Sequence, residues 1–105
     1  MNAELLKGHL DLLLLTAMQS RPAHGYALVQ VLREQSGGTF DLPEGTIYPA
    51  LHRLERAGLL SSYWSADTGR RRRVYQLTPK GEQALTRRRQ EWRQFAQAVN
   101  AVVGS

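Results

Sequence analysis

The sequence predicts a mostly α-helical fold with one small β-hairpin and a long last helix. Three observations carry this. Leu6, Leu10, Leu13 and Leu14 recur at helical spacing. Two strand-like runs, residues 59–65 and 71–77, flank a turn rich in Asp and Gly. Thr78-Pro79 then starts a second amphipathic run that continues to about Val103, with Thr as N-cap and Pro in the first turn. At 105 residues, with 42% hydrophobic content and no Cys, the chain reads as one domain with a small core and no disulfide framework.

Residues 3–20 read as the first helix. Leu6, Leu10, Leu13, Leu14 and Ala17 form one stripe, and Leu5, Leu12 and Leu15 lie off it. A helix that is apolar on more than one face must be buried on more than one face. In so small a domain the second face is expected to meet another subunit; the other reading is a helix central to a monomeric bundle. Arg21-Pro22 ends this helix. A second helix spans about residues 24–35, apolar at Ala27, Leu28, Val31 and Leu32, and Gly37-Gly38 closes it.

The third helix is short. Pro49 is harmless only in a first helical turn, where its missing N–H would have been unpaired. That reasoning makes Thr46 the N-cap of a helix over about residues 47–57, ended by Gly58. Ile47, Leu51 and Leu54 then face inward, and Tyr48, His52, Arg53 and Arg56 project. The hairpin carries Arg70, Arg71, Arg72 and Arg73 at its tip and second strand. In the last helix the stripe is Leu85, Trp92, Phe95 or Ala96, Val99 and Val103, with Arg87, Arg88 and Glu91 on the opposite face. Such a helix needs a surface, expected to be helix 1 and a second subunit. Leu5, Leu12, Leu85, Phe95 and Val99 are the candidate dimer contacts. The element order predicts a winged helix-turn-helix over residues 1–78 and a dimerisation helix over 79–105.

Charge points to the partner. The formal net charge is +5. Residues 1–52 hold three bases against five acids, net −2, while residues 53–105 hold eleven against four, net +7. An excess confined to the half with the third helix and hairpin suggests nucleic acid. Arginine's planar fork of donors suits phosphate, and nothing acidic but Asp67 lies near the run at 70–73. Because side chains alternate along a strand, two of the four are expected to face DNA at once. His52 and Tyr48 can donate to phosphates or bases, and Arg53 can bond guanine edges.

Other classes find little support. His9, His24 and His52 lie on three different helices without i, i+4 pairing, so no metal site is expected. There is no nucleophile elbow and no glycine-rich phosphate loop, so neither catalysis nor a cofactor is expected. The apolar run at 12–15 falls far short of the roughly 20 residues of a bilayer span. Glu4 and Asp11 around it argue against a signal peptide, so a cytoplasmic protein without membrane contact is expected. Trp92 reads either as packing at a dimer seam or as one of two copies flanking a cavity for a flat apolar ligand.

Leu6-Lys7-Gly8-His9-Leu10-Asp11, His24-Gly25-Tyr26, Glu44-Gly45-Thr46-Ile47-Tyr48-Pro49-Ala50-Leu51-His52-Arg53-Leu54-Glu55 and Gly58-Leu59-Leu60 resemble the PadR family of transcriptional regulators. Arg72-Arg73-Val74-Tyr75-Gln76-Leu77-Thr78-Pro79-Lys80-Gly81 is similar to the family's second wing strand and the start of its last helix. The resemblance covers about residues 4–92. Pro43 and Glu44 depart from the family pattern, which often has Ser or Pro shortly before the Gly-Thr step. The resemblance implies a homodimer, held by the first and last helices, that represses transcription from a palindromic operator in double-stranded DNA. It also implies relief by small molecules, phenolic acids or hydrophobic drugs. The single C-terminal helix resembles the small subfamily, in whose multidrug-sensing members a tryptophan at the spacing of Trp92 lines a pore at the dimer centre. The candidate DNA contacts are Tyr26, Thr46, Tyr48, Pro49, His52, Arg53, Arg70, Arg71, Arg72 and Arg73, and the candidate effector residue is Trp92. The alternative is a winged-helix protein-interaction or ligand-binding scaffold without DNA-binding output.

Overall fold

The chain runs α1 (Leu10–Ala17), β1 (Ala23–His24), α2 (Gly25–Gln35), α3 (Glu44–Arg56), β2 (Leu60–Ser65), β3 (Arg72–Leu77) and α4 (Pro79–Val103). The computed structural model describes residue 6, residues 8–66 and residues 69–104. The fold is the expected winged helix: helices around one core, a basic hairpin at one edge and a long final helix. Among the described residues no helix is long and apolar enough to cross a membrane. Leu5, Asp67 and Thr68, named above as a dimer contact and as parts of the turn signal, lie outside the described residues.

α1 packs on all three other helices. Leu14 and Leu15 are both fully buried, so the off-stripe Leu15 serves the chain's own core rather than a second subunit. The helix is shorter than the leucine pattern predicted. A turn at Gly8 and His9 precedes it, closed by the His9 N–H donating to the Leu6 carbonyl at 2.8 Å. Ile47, Leu51 and Leu54 join the core as the α3 spacing required, and α2 adds Leu28 and Leu32 as expected but Val29 in place of Val31, which is only partly buried.

α3 corrects the expected helix start. It begins at Glu44, with Pro43 in the extended conformation as N-cap, not at Ile47 with Thr46 as cap. The Pro43 carbonyl accepts from the N–H groups of Thr46 and Ile47 at 3.0 and 3.3 Å. Pro49 therefore sits inside the helix. Gly45 and Pro49 are both exposed, so the bond that Pro49 cannot make to the Gly45 carbonyl is lost at the surface, where water can replace it.

The far end of α3 is held by the start of α4. Thr78 Oγ1 donates to the Gly58 carbonyl at 2.6 Å and accepts from the Gly81 N–H at 3.0 Å. Lys80 Nζ donates to the Ala57 carbonyl at 3.0 Å, satisfying a carbonyl that a helix end leaves open. Gly81 lies so close to the loop after α3 that an added Cβ would come within 2.0 Å of the Leu59 carbonyl oxygen.

The sheet has three antiparallel strands in the order β1-β3-β2. The hairpin was expected; β1 was not. Its two residues pair Ala23 with Tyr75 and His24 with Val74, which ties the start of α2 to the wing. α4 buries Gly81, Ala84 and Leu85 and then extends away from the core. Leu85, at 2% exposure, belongs to the chain's own core, which overturns its assignment to a dimer contact. Phe95 and Val99 remain exposed.

Candidate nucleic-acid interface

One face of α3 and one side of the wing form a shared cleft. Glu44, Tyr48 and His52, spaced i, i+4, i+8, line it from α3. Arg70, Arg71, Arg72 and Arg73 line it from the hairpin, and His24 and Tyr26 from the start of α2. Its volume is about 700 Å³. The sequence-predicted residues Tyr26, Tyr48, His52 and the arginines at 70–73 are thus brought together. Thr46 is partly buried on the first turn of α3 and Pro49 is exposed, but neither lines the cleft.

Arg71, Arg72 and Arg73 each have a different setting. Arg73 faces Trp64 across the β2–β3 pair and lies 3.5 Å from Glu55 Oε2. Ser62 Oγ donates to that same carboxylate oxygen. Arg72 Nη1 lies 3.0 Å from His24 Nε2, while His24 Nδ1 accepts from the Ala27 N–H at 3.3 Å. Burial, and then the Arg72 charge, hold the His24 imidazole below its ordinary pKa, so the ring is neutral near pH 7 and caps α2 as an acceptor. Arg71 rests on Trp64, its Cζ 4.6 Å from the ring centroid.

Arg53 stands apart from the cleft. Its guanidinium forks onto Asp11 of α1, with Nη1 and Nη2 each donating at 2.9 Å. Arg88 of α4 donates to the same carboxylate at 3.1 Å. One side chain, 18% exposed, therefore joins α1, α3 and α4. Burial raises the Asp11 pKa, but the bonds from Arg53 and Arg88 outweigh it, and the net shift is downward. The expected projecting face of α3 thus divides: Tyr48 and His52 line the cleft, and Arg53 binds Asp11.

The family model for the transcriptional regulator PadR-like family matches residues 14–87, from the middle of α1 through the first third of α4. The chain belongs to the PadR-like family of transcriptional regulators. Among PadR-like and related proteins, a transcriptional regulator of Mycobacterium tuberculosis is 43% identical over 76 residues, covering 72% of this chain and 68% of that protein. A PadR family transcription regulator from Clostridium difficile is 34% identical, with a TM-score of 0.81 over 90% of this chain and 98% of the other. A PadR-like regulator from Bacillus cereus is 27% identical, with a TM-score of 0.86 over 98% of this chain and 99% of the other.

A second candidate region of this PadR-like chain lies at Trp92. The ring packs edge-on to His9, centroids 5.1 Å apart, and sits 6.1 Å from Phe95. Trp92 and Leu12 stand between two cavities. One, about 400 Å³, is lined by His9, Arg87, Arg88, Glu91 and Phe95. The other, about 380 Å³, is more apolar, with Leu13, Leu32 and Phe40 in its wall. Arg87, Arg88 and Glu91 therefore share a cavity with Trp92 and Phe95 instead of facing away from the aromatic stripe. Among the described residues no group of three or more His, Asp or Glu could hold a metal ion.

Sequence reasoning missed His24, Trp64, Glu44 and Glu55 as parts of the cleft or its bracing. Trp64 was within reach. Pairing Leu60 with Leu77 fixes Trp64 opposite Arg73 by counting along the strands. His24 was not, because its role depends on a two-residue strand.

Proposed function

We propose that this chain is a homodimeric repressor that binds a palindromic operator through the α3–wing cleft and is released by a small aromatic ligand held at Trp92. The observation that carries the DNA reading is the convergence of the arginines at 70–73 with Tyr26, Tyr48 and His52 around one cleft. Glu44 is the acid among the cleft's lining residues, so cationic charge dominates there. α3 enters the major groove and the wing grips the flanking backbone. Tyr26, Thr46, Tyr48, His52 and Pro49 form the surface that approaches DNA, and the wing arginines neutralise phosphates.

The dimer reading is supported by α4, whose outer half leaves Trp92, Phe95, Val99, Val102 and Val103 exposed along one helix. A stripe of that kind on a monomer would stay wet, and a second copy offers the same stripe in return. The ligand reading is supported by the cavities that meet at Trp92.

A gel shift against the DNA upstream of the gene tests the first claim. A specific complex is expected; no complex with either that DNA or random duplex contradicts it and favours the scaffold reading. Tryptophan quenching by planar aromatic dyes tests the ligand claim. It is measured in a Trp64→Phe background, which leaves Trp92 as the remaining tryptophan. Absence of quenching contradicts it.

A further inference from the structure

We propose that Trp64 is a positioning residue that holds Arg71 ready for a DNA phosphate. This rests on the reading of the cleft as a DNA site.

Trp64 is 52% exposed, at the end of the hairpin beyond the core. An exposed tryptophan on a two-stranded ribbon contributes little to folding, yet it lies against two guanidinium groups. The Arg71 and Arg73 Cζ atoms are 4.6 and 5.4 Å from its ring centroid. The register explains why. Arg73 is the direct partner of Trp64, and Arg71 lies two residues further along β3's side of the hairpin, so both side chains share the Trp64 face. Arg72 alternates with them along the strand and meets His24, on the β1 side of the same cleft.

The two guanidinium groups on Trp64 differ in what else they meet. Arg73 Nη2 lies 3.5 Å from Glu55 Oε2, whose charge offsets part of its own. Arg71 has no ion pair among the described residues. A guanidinium stacked on an aromatic ring uses its face and leaves its in-plane N–H donors free. A carboxylate partner would do the reverse, by occupying the donors that a phosphate needs. Trp64 thus restricts the rotamers of Arg71 without occupying its hydrogen-bonding edge. An unrestrained arginine would lose that rotamer freedom only when DNA arrives.

The test is the affinity of the full chain for random-sequence duplex by fluorescence anisotropy, at fixed moderate salt. The variants are Trp64→Ala, Trp64→Leu, Trp64→Phe, Arg71→Ala and the Trp64→Ala/Arg71→Ala double. Trp64→Ala and Trp64→Leu are expected to weaken binding about 2–5-fold per subunit, the scale of an exposed cation–π contact. Trp64→Phe, which keeps a π face, should retain most of the affinity. In the Arg71→Ala background the Trp64→Ala loss should largely disappear, because the two residues act as one. Undiminished loss in that background overturns the proposal, since Trp64 would then act without Arg71. Equal binding by the Leu and Phe variants also overturns it, since bulk alone would suffice. If the unsubstituted chain binds no duplex at all, every variant is silent alike. That pattern overturns the DNA reading and this proposal with it, and it differs from the graded pattern of a failed Trp64 role.

Discussion

Gly25 and Tyr48 are packed so closely that a Cβ added to Gly25 would lie 2.5 Å from Tyr48 Cζ. The contact joins the first residue of α2 to the cleft-facing ridge of α3, and it exists only because residue 25 has no side chain. Gly→Ala in a helix ordinarily stabilises by up to about 1 kcal/mol. Here the sign should reverse. Gly25→Ala is expected to cost about 1–3 kcal/mol in urea unfolding, the scale of overpacking, and to weaken DNA binding by displacing Tyr48. Tyr48→Ala in the same chain should remove most of that stability cost. A Gly25→Ala variant as stable as the parent would contradict the packing.

Gly81 is a more severe case. Its neighbour is the Leu59 backbone carbonyl rather than the end of a side chain, so no rotamer change can relieve the clash. Gly81→Ala is expected to cost more than Gly25→Ala, and to show it as a lower thermal midpoint.

The Asp11 carboxylate binds two guanidinium groups and its folded pKa lies below the ordinary value. A depressed carboxylate stabilises the fold while it is ionised, above its unfolded pKa, and the gain is lost as pH falls through the folded value. Asp11→Asn should therefore cost about 1–2 kcal/mol at neutral pH, between the values for exposed and buried pairs. The gap from the parent should close as pH drops below about 4. Urea midpoints across pH 3–7 check this, and a gap independent of pH would contradict it.

Leu85 and Val99 fall on the same predicted stripe but should fail differently. Leu85→Ala empties the chain's own core and is expected to cost about 2–5 kcal/mol. Val99→Ser, with Phe95→Ser, should leave the fold intact and lower the association constant in sedimentation equilibrium. Equal effects of the two on fold stability would contradict the division of α4 into a buried first part and an associating second part.

These contrasts show what the sequence made legible. The core positions of α3 followed from spacing alone, because Ile47, Leu51 and Leu54 have one side to bury. The hairpin and the Thr78-Pro79 cap followed from local turn and cap chemistry. Local signals failed where a distant partner decides. The Arg53–Asp11 bond spans 42 residues, and β1 is a strand only because β3 lies beside it. The missing N–H of Pro49 predicts a helix start at Thr46, yet an exposed helix face tolerates one missing bond. The single apolar stripe of α4 runs unbroken from the buried Leu85 to the exposed Trp92, Phe95 and Val99, since spacing alone does not tell a buried position from an exposed one.

The central claim is that the α3–wing cleft grips the DNA backbone. Its most direct test is the salt dependence of duplex affinity, measured for the parent and for an Arg71→Ala/Arg72→Ala variant. The parent should lose affinity steeply and linearly on a log–log scale as salt rises, and the variant's slope should be shallower by about 0.9 for each phosphate contact removed. A parent affinity that does not change with salt, or a variant whose slope matches the parent's, would contradict it.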